Sequence, residues 1–175
     1  MGAPAVPINV DDETGVWSTD SLPMLYVPRH FFINNHKAIE EALGIEAYAK
    51  QLYDAGYKSA WHWCEKEAAA HGLRGEAVFH HYMKRLSQRG WGLFTVEQLD
   101  MEQGTARVRL DNSAFVYEYG PHAERRVCYM FAGWFPGSLE WVAQDLGRPL
   151  KLKAKEIQCA SEAGHDHCIF EVTPA

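Results

Sequence analysis

In the stretch Trp91–Asn112, WGLFTVEQLDMEQGTARVRLDN, the spacing of apolar residues changes from helical to strand-like. Residues 91–100 alternate, with Phe94 and Val96 against Thr95 and Glu97. Glu102-Gln103-Gly104 reads as a turn. Residues 105–112 then set Ala106, Val108 and Leu110 on one face and Arg107 and Arg109 on the other. Side chains on a strand point alternately to opposite faces, so this is a strand with one side in a core and one in water. Two such strands joined by a tight turn predict an antiparallel pair.

Upstream, the pattern is helical. Across residues 45–71, apolar or small residues fall at Ile45, Tyr48, Leu52, Ala55, Ser59 and Trp63, a step of three to four. Gly72 ends this helix. Gly56 lies inside it at a cost of about 1 kcal/mol relative to Ala, so a close packing partner is expected there. A second helix is expected over residues 75–89, with Val78, Tyr82 and Leu86 on one face and Gly90 closing it. Before these, Asn34 and Asn35 are N-cap candidates for a short helix over 36–43, ended by Gly44. Residues 22–32 read as a strand interrupted by Pro28. Residues 1–20, rich in Pro, Gly, Asp and Thr, read as a flexible arm, leaving 21–175 as a single domain.

Downstream, Phe115–Tyr119 (FVYEY) reads as a third strand, and Gly120-Pro121 breaks the chain. A helix is expected over 124–146, kinked at Pro136-Gly137. Residues 150–159 and 168–172 read as two final strands. Helices first, then a meander, a helix and a hairpin, argue for an α+β fold with a mostly antiparallel sheet and helices packed on one face.

Composition excludes several functions. The 175 residues carry 17 basic and 23 acidic side chains, a net charge of −6. Phosphate contact needs a basic face, so nucleic-acid binding is not expected. No run of about 18 apolar residues exists to span a membrane. The N-terminus has no basic segment followed by an apolar one, so no secretory signal is expected and the location expected is cytoplasmic. In a reducing compartment the four cysteines are metal ligands or buried apolar groups rather than disulfides. Phosphate-loop, dinucleotide, nucleophile-elbow and HExxH signatures are all missing, and no catalytic residue is assigned.

The densest chemistry is at Glu156-Ile157-Gln158-Cys159-Ala160-Ser161-Glu162-Ala163-Gly164-His165-Asp166-His167-Cys168. Cys159 and Cys168 sit at the facing ends of a hairpin, where their sulfurs can reach one ion. Zinc takes four tetrahedral ligands from Cys, His and carboxylate. Cys128 can supply a third thiolate, and Glu156, His165 or His167 the fourth ligand. Strict alternation sets Glu156 and Cys159 on opposite faces, so both can ligate only if the strand bulges or ends between them.

These residues carry a resemblance. Cys128-Tyr129-Met130-Phe131-Ala132-Gly133-Trp134-Phe135-Pro136-Gly137, then Glu156 to Cys159, Gly164, Cys168 and Phe170, resemble the signature of the 4-vinyl reductase domain family. Leu52-Tyr53-Asp54-Ala55-Gly56-Tyr57 is similar to the family's upstream helix. Cys159 and Cys168 are one residue further apart than in the family's pattern. The resemblance implies a small-molecule-binding domain with the fold shared by nitric-oxide-signalling and Golgi-transport proteins, often a homodimer. It implies a structural zinc held by Cys128, Glu156, Cys159 and Cys168, with no position open for catalysis. It also implies a link to the catabolism of methylated glycines. The alternatives it leaves are a small reductase- or hydrolase-type enzyme of the same pathway, or a haem or tetrapyrrole binder, of which haem is the less expected.

Aromatic residues suggest a ligand pocket. Trp61, Trp63, Phe79, His80, Tyr82, Trp91 and Trp134 would give aromatic walls with a few polar tips, able to hold a small metabolite or cage a quaternary ammonium group. The competing reading is that these rings are core or interface.

Overall fold

A computed structural model describes residues 6–20, 22–120 and 123–175. Strands β1 (Asn9–Val10), β2 (Trp17–Thr19) and β3 (Leu22–Met24) form a small antiparallel sheet. Three helices follow, α1 (Arg29–Leu43), α2 (Ile45–His71) and α3 (Glu76–Gln88). Then come β4 (Leu93–Asp100), β5 (Thr105–Asp111) and α4 (Ala114–Tyr119). A 3-10 turn (Tyr129–Gly133) runs into α5 (Trp134–Asp145), and β6 (Leu152–Gln158) and β7 (Cys168–Pro174) close the chain. The main sheet has the order β4-β5-β7-β6, with every neighbour antiparallel.

Register explains which face is core. Val108 pairs with Phe170 and Phe170 with Glu156; Leu110 pairs with Cys168; Ala106 pairs with Val172 and Val172 with Ala154. This face is buried, Glu156 included, against α3 and α5. The other face carries Arg107 bridging Glu97 and Glu171 at 3.0 Å each, with Lys153 and Lys155 beside them. The α+β expectation with helices on one face therefore holds.

The helices approach closely where glycine allows it. A Cβ on Gly133 or Gly137 would overlap the backbone of Tyr53 or Tyr57 on α2. A Cβ on Gly56 would strike the indole of Trp134, the packing partner expected for that residue. Gly56, Gly133 and Gly137 thus form the groove in which α5 crosses α2.

Four expectations change. Phe115–Tyr119 is helical, not a strand: Ser113 caps it by accepting the Phe115 N–H at 3.2 Å, and Gly120 closes it at φ 85°. The short helix starts at Arg29 behind Pro28, so Asn34 and Asn35 lie inside it. The long helix over 124–146 is a loop, a 3-10 turn and α5, with Pro136 in the first turn of α5 where a missing N–H is harmless. Of the segment read as an arm, residues 1–5 lie outside the described residues, and the described part, 6–20, contributes β1 and β2 to the small sheet.

A buried polar network ties α1 to the loop before the 3-10 turn. Glu40 accepts hydrogen bonds from Tyr119 at 2.8 Å, Tyr129 at 2.5 Å and Arg125 at 2.8 and 3.2 Å. His36 meets the Tyr129 hydroxyl through Nε2 at 3.2 Å. Burial raises Glu40, but the bonds from Arg125, Tyr129 and Tyr119 outweigh it and hold the carboxyl below its ordinary 4.5. Burial, aided by Arg125 and Lys37, pushes His36 below its ordinary 6.5 against the pull of Glu40. A histidine depressed in the folded state is protonated first in the unfolded one, so stability falls as pH drops below 6.5. A depressed carboxylate loses its contribution as pH falls from 4.5 through its folded value. Urea unfolding across pH is expected to show both losses, and His36→Gln to flatten the upper one. A stability that holds or rises between 6.5 and 4.5 contradicts this.

Candidate functional site

Four buried groups converge beneath the main sheet. Cys128 directly precedes the 3-10 turn, Glu156 lies on β6, Cys159 one residue beyond β6, and Cys168 opens β7. The register of β6 against β7 shifts between Glu156 and Gln158, leaving Ile157 as the extra residue of a bulge. One extra residue turns a three-residue separation into an even one, so Glu156 and Cys159 face the same side.

The sulfur spacing is that of ligands, not of a disulfide. Sγ–Sγ distances are 3.6 Å for Cys128–Cys168, 3.5 Å for Cys159–Cys168 and 4.0 Å for Cys128–Cys159. A bonded pair would lie at about 2.05 Å. Sulfurs at about 2.3 Å from a tetrahedral zinc lie about 3.8 Å apart. Glu156 completes the set: Oε2 accepts the Cys128 N–H at 3.1 Å, while Oε1 is buried with no hydrogen-bond partner among the described residues. All four ligand atoms lie within 4.8 Å of one another. The donor set fits zinc, and Oε1 is the atom that a cation would satisfy.

Electrostatics point the same way. Burial, then the charge of Cys159, pushes Glu156 up to about 10. Burial also raises Cys128, while hydrogen bonds from Cys128 and Cys168 lower Cys159. Without a cation the cluster supports little negative charge; three thiolates and a carboxylate together require one. The surroundings serve anionic sulfur, with hydroxyls of Ser113 at 2.9 Å from Cys128 and Ser161 at 3.0 Å from Cys159, and the Ala160 N–H at 3.4 Å from Cys168. Glu162 accepts the Cys159 N–H at 2.9 Å and fixes the turn.

The alternate fourth ligands stand outside this cluster. His165 is exposed, and His167 is engaged by Gln158 at 3.1 Å and by Asp166. Cys64 is a buried spectator on α2, its thiol raised by burial.

The seven aromatic candidates do not form one pocket. Trp63 contacts Tyr82, Tyr82 contacts Trp134, and Trp134 contacts Trp91, at ring separations of 4.7, 6.4 and 5.4 Å. Phe79 is fully buried core, His80 is exposed, and Trp61 stacks on Tyr57 apart from the others. The face of Trp63 is already covered by the Arg89 guanidinium at 5.4 Å, so a quaternary ammonium has no room there. Trp91 lines an apolar cavity of about 360 Å³ between the 24–29 segment and α1, with Val27, Phe32, Ile33 and Arg89. Nε of Arg89 is buried without a hydrogen-bond partner among the described residues. Arg89 was not singled out by sequence, and its place follows Gln88 at the end of α3.

The family model described as "Domain of unknown function (DUF5943)" matches residues 2–97, over half of the chain. The chain belongs to this family. The DUF5943 match ends before Cys128, so the sulfur cluster lies outside the matched residues. No curated protein matches the sequence. Solved structures share the fold. The phenol-responsive sensory domain of the transcription activator PoxR, solved with phenol, is similar at a TM-score of 0.78 and 15% identity, covering 95% of this chain and 84% of that one. A trafficking protein particle complex subunit 3 from Naegleria fowleri, covalently bound to palmitic acid, is similar at 0.58 and 16%, covering 84% and 94%. The DUF5943 chain therefore has the fold of these two proteins. Among its described residues no helix is long and apolar enough to cross a membrane.

Proposed function

We propose that this chain is a cytoplasmic, non-catalytic small-molecule-binding domain, sensory or accessory, whose C-terminal hairpin is held by a structural zinc. The observation that carries the zinc is the set of three sulfurs at tetrahedral spacing around a carboxylate with an orphaned oxygen. The resemblance of Cys128–Phe170 to the 4-vinyl reductase domain supports the same ligands. Zinc would be held by Cys128, Glu156, Cys159 and Cys168, and its chemistry is cross-linking, since four protein ligands leave no open position. The residues tie β6 and β7 to the loop before the 3-10 turn, beneath Phe170 and Phe131 in the core.

Small-molecule binding rests on the fold shared with a domain that senses phenol and on the cavity beside Trp91. About 360 Å³ suits a ligand of one ring or a comparable metabolite. Its walls are largely apolar. Arg89, which is ion-paired with Asp20 but has an Nε without a hydrogen-bond partner among the described residues, is one of its lining residues, which favours a phenol, phenolate or carboxylate over a bare cation. A methylated glycine satisfies this through its carboxylate, keeping the link to that pathway open to test.

A thermal-shift screen of phenols, betaines, methylglycines and tetrapyrroles tests the reading. Saturating ligand at about 100 times its Kd adds about 2.7 kcal/mol of stability, a Tm rise of about 5–10 °C at this size. Trp91→Ala is expected to abolish the rise. No shift from any class, or a shift that Trp91→Ala leaves intact, contradicts it, and turnover of a hit or a Soret band with haem would move the protein to another class. The reading includes a homodimer, supported by the exposed Leu25, Tyr26 and Phe31. Sedimentation is expected to show two chains, and a monomer contradicts that part.

A further inference from the structure

Away from the sulfur cluster, Glu67, His71 and His81 converge at the α2–α3 hairpin. Glu67 and His71 lie one turn apart on α2, on one face of the helix. Gly72, at φ 64°, turns the chain so that α3 returns alongside and brings in His81. Oε2 of Glu67 is 2.9 Å from Nε2 of His81 and 3.3 Å from Nε2 of His71. Both rings present the same nitrogen to the same oxygen. A metal ion at about 2.1 Å from its N and O ligands sets them about 3.0 Å apart in octahedral and about 3.4 Å apart in tetrahedral geometry.

The carboxylate is the second observation. Glu67 is fully buried, and its Oε1 has no hydrogen-bond partner among the described residues. An ionised carboxylate held away from water needs a cation. Asp20 has its own, with Arg85 at 2.8 Å and Arg89 at 3.6 Å. Among the described residues the groups within 4 Å of the Glu67 carboxylate that can carry positive charge are the two imidazoles, while Arg89 acts on it from farther away.

We propose that Glu67, His71 and His81 bind a divalent first-row transition ion of the zinc, cobalt or nickel class. The donor set lacks thiolate and is two imidazoles with one carboxylate, which suits these ions. Three protein ligands leave positions for water, and the site opens to solvent along His71, which is 36% exposed. Asp20 approaches His71 to 3.7 Å but is held by Arg85, so it borders the site without completing it. The ion would clamp α2 to α3 next to the β2 end, independently of the cysteine centre.

The test titrates the full, metal-stripped chain with cobalt(II) alone. Wild type is expected to take two equivalents, one showing thiolate-to-cobalt charge transfer and one without it. His81→Ala is expected to weaken the second equivalent at least about tenfold and leave the charge-transfer band intact. Cys159→Ser is expected to do the reverse, so failure of either centre is read separately. His71→Ala, at a half-exposed position that folding tolerates, repeats the test if His81→Ala does not fold. A wild type without the thiolate-free equivalent, or one that keeps it in both histidine variants, overturns the proposal.

Discussion

Replacing Cys159 with serine is expected to release the zinc proposed for the sulfur cluster and to destabilise the domain by about 3–5 kcal/mol, a Tm fall of about 6–20 °C. The magnitude follows from what remains. Cys128, Cys168 and Glu156 are buried, and Oε1 of Glu156 has no hydrogen-bond partner among the described residues. Their anionic forms cannot persist without the ion, and the hairpin loses its tie to the loop at Cys128. In a His81→Ala background, which removes the second proposed ion, a chelator should lower the parent by a similar amount and leave the Cys159→Ser variant unmoved, because both remove the same interaction. Cys64→Ser, at the spectator cysteine on α2, should leave the metal content unchanged. If Cys159→Ser keeps full stability and full metal content, the cluster is a group of buried thiols.

The second large effect is expected at the helix crossing. Gly133→Ala or Gly137→Ala should each destabilise by about 3 kcal/mol, because the added Cβ meets the α2 backbone, which cannot rotate away as a side chain can. At this chain length that is a Tm fall of about 6–12 °C. The substitution also displaces the 3-10 turn that follows Cys128, so zinc affinity should fall with stability. Glu65→Ala, on the exposed face of α2, is the comparison and should stay within about 0.5 kcal/mol. A Gly137→Ala protein as stable as that comparison would mean the two helices do not cross there.

Much of this architecture is legible in the residues, for reasons that can be named. The long helix α2 shows itself by an unbroken apolar step between Gly44 and Gly72, both of which stop helices. Strands β4 and β5 show themselves by strict alternation around Gly104. FVYEY misleads because aromatic and β-branched residues favour strands, while its caps, Ser113 and Gly120, are local signals that outweigh them. Residues 124–128 mislead because helical composition extends back from α5 into a loop that Arg125 and Arg126 hold through Glu40 and Glu156.

At the site, the cysteines are legible and their meeting is not. Alternation along β6 separates Glu156 from Cys159, and only the bulge at Ile157 reunites them. No residue type marks that bulge. Glu67, His71 and His81 carried a faint signal, a carboxylate and a histidine four apart on one helix with histidines on the next, which only the hairpin's return resolves. The aromatic residues misled in a different way. Rings suited to a pocket wall are equally suited to a core, and Trp63, Tyr82 and Trp134 pack against one another rather than around a space.

The most direct measurement is zinc K-edge absorption on the full His81→Ala chain loaded with one equivalent of zinc, which leaves the cysteine centre as the binding site. The account predicts three sulfur neighbours at about 2.3 Å and one oxygen at about 2.0 Å. A shell of nitrogen and oxygen without sulfur would contradict it.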